Sequence, residues 1–106
     1  MAVKPKRSYH RAGPAWEPDT RRPGGEVRGW SIKLPFLRIT VHRMLGLEGD
    51  WFVSCHDINI DGVRIATDRP GASYKPEELQ NMALQLVAET LKNMQEALCA
   101  HRRSVL

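Results

Sequence analysis

Long apolar runs are absent from this chain of 106 residues. Nothing in it approaches the ~18 consecutive apolar residues of a membrane-spanning helix. The basic N-terminus also lacks the apolar stretch of a secretory signal. Cysteine is scarce: Cys55 and Cys99 are the only two, too few for a disulfide framework. A cytoplasmic location is therefore expected. Gly-rich phosphate loops of the GxGxxG and GxxxxGK[ST] types are missing, as are a GxSxG elbow and an HExxH pair. The length allows one domain at most, which excludes a multidomain enzyme.

The charge is unevenly placed. The chain holds 16 Lys and Arg against 12 Asp and Glu, a net +4. Residues 1–29 carry seven cations (Lys4, Lys6, Arg7, Arg11, Arg21, Arg22, Arg28) and three anions (Glu17, Asp19, Glu26), and seven minus three already gives +4. The remainder sums to zero. The same N-terminal stretch contains Pro5, Pro14, Pro18 and Pro23 and few apolar residues to offset its ordering entropy. It reads as a basic, Pro/Gly-rich arm, disordered or ordered by a partner, ahead of a small domain over 30–106. Basic arms neutralise phosphates. Among the cations, Trp16 is the natural apolar anchor for a base or a protein groove.

From Trp30 onward the pattern alternates with period 2, the strand signal. Trp30, Ile32 and Leu34 alternate with polar residues. The phase then flips at Pro35, and Leu37, Ile39 and Val41 continue. This predicts a main strand over 36–44, with 30–34 as an edge extension or a separate short strand. A second strand is expected over 51–60 and a third over 63–67. Asp61-Gly62 between them is a strong hairpin-turn signal. Pro76-Glu77-Glu78 opens a helix expected over 76–102, with Arg102 and Arg103 at its cation-favouring end. The expected fold is α+β: a three-stranded antiparallel meander followed by one long C-terminal helix packed on one sheet face, βββα. That element order is shared with DNA-binding modules such as recombinase arm-binding domains, but order alone fixes no function.

Catalytic and metal signals are weak. In Cys55-His56-Asp57, adjacent strand residues point to opposite faces, which separates nucleophile from base. Asp57, Asn59 and Asp61 imitate the start of a calcium loop, yet the closing Glu is replaced by Asp68. His42, His56, His101 and the cysteines lack zinc-site pairing. Neither enzyme activity, nor a metal, nor a cofactor is expected. The expected function is a small binding protein acting on nucleic acid or a nucleoprotein complex. Lys4, Lys6, Arg7, Arg11, Trp16, Arg21, Arg22 and Arg28 of the arm would make the contacts, with Arg38 and Arg43 on the sheet. The alternative is a protein-interaction module: an inhibitor, adaptor or assembly factor, a kind of small protein frequent in phages and mobile elements.

The helix has a wide apolar arc. Leu79, Met82, Ala83, Leu86, Thr90, Met94 and Ala97 form one stripe, expected to lie on the sheet. Leu84, Val87, Leu91 and Leu98 form a second stripe, expected to be an interface, most simply between two copies of the chain.

Overall fold

The computed structural model describes residues 15–20, 24–25, 27–44, 49–65 and 74–105. Five strands form one antiparallel sheet in the order β1-β2-β3-β4-β5. They are β1 (Glu17–Thr20), β2 (Val27–Leu34), β3 (Leu37–His42), β4 (Phe52–Cys55) and β5 (Ile60–Arg64). A 3-10 turn (His56–Ile58) separates β4 from β5, and one helix, α1 (Pro76–Val105), ends the chain. The class is α+β, as expected, but the three-stranded meander is corrected to five strands.

One additional strand, β1, and the first three residues of β2 come from the stretch read as an arm. Glu17–Thr20 pairs with β2, setting Glu17 opposite Ser31 and Pro18 opposite Trp30. A strand reading EPDT carries no apolar alternation, so nothing in its own side chains signals a strand. It is an edge strand, where a proline and exposed acids are tolerated. The expected domain boundary at residue 30 falls inside β2. Trp16 is half-buried and packs against the core, which ties this region to the domain.

The phase flip at Pro35 is a hairpin turn. Leu34 pairs with Leu37 across a two-residue loop of Pro35 and Phe36, and Phe36 has φ +71°. Proline followed by a residue at positive φ is the signature of a type II turn. Asp61-Gly62, by contrast, lies within β5 rather than at a turn between strands. The reversal happens earlier, through the 3-10 turn and Asn59, which takes the left-handed conformation at φ +63°. Gly62 does sit at φ +62°, where the register between β4 and β5 slips.

One sheet face carries Ile32, Ile39, Val41 and Val53, all buried. Cross-strand register puts Ile32 opposite Ile39, and Val41 opposite Val53. On the helix, Leu79, Ala83 and Val87 are buried against this layer, one residue per turn. Trp51, Ile65 and Tyr74 close the core. The helix opens on Lys75, whose backbone N–H donates to Glu78 Oε1 at 2.8 Å. This is the reciprocal half of a capping box, and it satisfies a helix-end donor.

The helix stripes are redistributed relative to expectation. Val87, expected at an interface, is 3% exposed and belongs to the core, and Leu84 packs against the same cluster. Met94 and Ala97, expected on the sheet, are exposed, as are Leu91 and Leu98. The first half of α1 is docked and its second half projects beyond the sheet.

Candidate partner-binding surface

The sheet face away from α1 is polar. Glu17, Ser31 and Thr40 lie across it, next to the pair Lys33 and Arg38. Lys33 and Arg38 are direct cross-strand partners, and both are exposed. Like charges placed opposite one another weaken a sheet. Immediately beyond them, at the hairpin tip, Phe36 is 95% exposed. An exposed phenylalanine in the left-handed region contributes nothing to burial and carries a conformational cost.

Arg38 is the hub of this end. It borders a depression lined by Ala15, Glu17, Ser31 and Lys33, and a second lined by Leu34, Phe36, Leu37 and Asp57. Its backbone N–H donates to Asp57 Oδ2 at 2.9 Å. The carboxylate thus anchors the 3-10 turn against the start of β3. A third depression continues over Glu17, Asp19 and Thr40. The surface therefore mixes cations with carboxylates around one exposed aromatic ring.

Farther along the same face, the His42 Nε2 and Ser54 Oγ atoms lie 2.8 Å apart. His42 Nδ1 is 3.2 Å from the Arg43 carbonyl oxygen, which can only accept, so the Nδ1 atom carries a proton. In the neutral ring, Nε2 then accepts from the Ser54 hydroxyl. The Gly62 N–H also donates to Ser54 Oγ at 2.8 Å. Serine beside histidine is a nucleophile–base geometry. Here the imidazole is oriented by a backbone carbonyl rather than a carboxylate, and Ser54 is buried. The pair acts as a clamp joining β3, β4 and β5. His42 also stacks on Phe52, with centroids 6.3 Å apart.

The expected binding residues are distributed as follows. Lys4, Lys6, Arg7, Arg11, Arg21 and Arg22 lie outside the described residues. Arg28 lies in β2 and is half-buried. Arg38 is exposed on the polar face. Arg43 is on the opposite face, its guanidinium 4.4 Å from the Trp51 ring centroid. Trp51 in turn stacks on Trp30 at 5.3 Å. Arg43 is thereby engaged in packing, with its Nε buried and without a hydrogen-bond partner. Lys33, Phe36 and Ser54 are not among the residues the sequence pattern points to. For Phe36 a signal exists: Pro-Phe between two alternating stretches places the aromatic at the left-handed turn position.

The residues considered for chemistry separate. Cys55 is fully buried. His56 is exposed, with Nε2 at 3.4 Å from Asp61 Oδ1. Asp57 is committed to the Arg38 backbone. Among the described residues, no three His, Cys, Asp or Glu side chains converge on a metal-sized site. No helix among them is long and apolar enough to cross a membrane.

The fold and surface define a small α+β protein with a polar sheet face and a projecting helix. No protein-family model, curated protein or solved structure matches the chain.

Proposed function

We propose that this is a small non-enzymatic binding protein that acts on nucleic acid or a nucleoprotein complex. The basic N-terminal segment supplies the electrostatic attraction, and the polar sheet face supplies the docking end. One observation carries this reading: Phe36 stands exposed in a strained turn, beside the opposed cations Lys33 and Arg38. A phosphate relieves the repulsion between those cations, and a base covers the ring. Stacking and charge together are how single strands are held without sequence readout.

Fluorescence anisotropy with labelled single- and double-stranded oligonucleotides tests the reading. Binding should weaken steeply as salt rises. Phe36→Ala should weaken it by roughly tenfold, since base–aromatic stacking is worth about 1–3 kcal/mol. Affinity insensitive to both salt and Phe36→Ala overturns it.

A protein partner is the second reading. Glu17, Asp19 and Asp57 share the surface with Lys33 and Arg38, and such mixed charge suits a complementary protein rim. Nuclease-insensitive capture of one stoichiometric protein by the full chain, lost on Phe36→Ala, would favour it.

A further inference from the structure

We infer that the base covering Phe36 is an unpaired guanine selected by Asp57, a step that rests on the nucleic-acid reading above and names the strand the site takes. The depression at the hairpin tip is lined by Phe36, Lys33, Arg38 and Asp57, together with Leu34 and Leu37. Among the described residues, Asp57 is its only carboxylate. Glu17 and Asp19 border the depressions toward β1 instead. The Arg38 backbone N–H, 2.9 Å from Asp57 Oδ2, fixes the carboxylate in place and occupies one of its lone pairs. An ionised carboxylate accepts at about four sites, so both oxygens still accept. Asp57 makes no other hydrogen bond or ion pair among the described residues. Lys33 and Arg38 likewise have no ion pair among them, although carboxylates lie close by. One depression is thus bordered by an aromatic face, two unpaired cations and an anchored acceptor pair.

Base chemistry turns that set into a choice. Phe36 alone does not discriminate, because every base has a face to stack on it. The carboxylate does, because it only accepts. Guanine presents two neighbouring donors, N1–H and N2–H, on its Watson–Crick edge, and they match the two oxygens of a carboxylate. Cytosine and adenine each set an amino donor beside a ring nitrogen that accepts. Thymine and uracil flank their N3–H with two carbonyl oxygens. A carboxylate repels those acceptors and pairs fully with guanine alone, through charge-assisted bonds. In a duplex the same guanine donors are taken by cytosine, so the strand must be single. Unpaired bases splayed on an aromatic side chain and read at that edge are the usual target of single-strand recognition. The phosphate on Lys33 and Arg38 completes the contact.

Fluorescence anisotropy of the full chain, with short oligothymidylate strands that differ only at the central base, tests the selection. A central guanine should tighten binding roughly tenfold over the all-thymine strand, the worth of a good bidentate base contact. Central hypoxanthine, which lacks the N2 amino group, should lose most of that gain, as should adenine and cytosine. Annealing the complementary strand should abolish it. Asp57→Asn should erase the difference between the guanine and all-thymine strands. Its amide oxygen still accepts from the Arg38 N–H, so it should melt with wild type, and the lost difference then reads recognition rather than folding. Guanosine monophosphate should compete only weakly, because it brings one phosphate and no neighbouring nucleotides. Salt-sensitive binding of every strand without a guanine preference overturns the selection and leaves the nucleic-acid reading standing. A preference that survives in Asp57→Asn, or that hypoxanthine matches, removes Asp57 from the role. Competition by the monophosphate at the affinity of the strand reassigns the site to a free nucleotide. Binding by no strand at all overturns both readings together.

Discussion

Arg38 and Asp57 are joined across 19 residues of sequence by a backbone N–H donating to Oδ2 at 2.9 Å. That bond links the β2–β3 hairpin, which carries Phe36, to the 3-10 turn before β5. Replacing Asp57 with Ala should cost about 1 kcal/mol, the usual net worth of such a bond at an exposed position. Amide hydrogen exchange at Arg38 should accelerate while that of Val41 stays protected. Unchanged exchange at Arg38 would show that the carboxylate does not hold the hairpin.

Ser54 serves two partners at once, His42 and the backbone of Gly62. Ser54→Ala leaves both without this oxygen in a buried setting. A loss of about 1–3 kcal/mol in urea unfolding is expected. Ser54→Thr keeps the hydroxyl and should lose less if the extra methyl is accommodated. Equal stability of wild type and Ser54→Ala would dispose of the clamp.

Arg43 packs its guanidinium on Trp51, so its substitution should act on stability before it acts on binding. Arg43→Ala should destabilise by about 1 kcal/mol, within the range of a partly desolvated cation–π contact. Arg43→Lys lacks the planar stack and should recover only part of that. Arg38→Ala should show the reverse pattern, with little change in melting and weaker oligonucleotide binding. If Arg43→Ala weakens binding with no change in melting, its role lies in recognition.

Removing residues 1–29 takes away β1, Trp16 and the first three residues of β2. The truncated chain should melt many degrees lower than the full chain or fail to fold, as followed by circular dichroism. β2 would lose its neighbour, and the core would lose the indole that packs on it. A truncated protein as stable as the full chain would show that this end of the sheet is dispensable.

Much of this fold is written in short-range patterns. Trp30 to Val41 alternates strongly enough that its strand character is legible, though not its division into two full strands, and Pro76-Glu77-Glu78 marks the helix start. Glu17–Thr20 is not legible, because its strand character comes from hydrogen bonding to β2 rather than from its own side chains. Asp61-Gly62 misleads for a related reason. The left-handed backbone that its glycine signals is present, but it is used within β5 where the register slips. At the candidate surface, Arg38 is legible as a cation on a strand. The Pro-Phe turn signal is present for Phe36, but its placement beside Lys33, Arg38 and Asp57 is not legible, because the group is assembled from two strands, a turn and a distant 3-10 segment.

The sequence by itself determined the α+β class, the strand alternation through β2 and β3, and the long amphipathic helix. All three rest on periodicities of a few residues, which each segment expresses alone. The tertiary structure decided which segments joined the sheet, where the chain reversed after β4, and how much of α1 found a partner. Leu79, Ala83 and Val87 look no more buried in sequence than Leu91, Met94 and Leu98. Only the extent of the sheet beneath them, set by pairing between distant segments, separates the two groups.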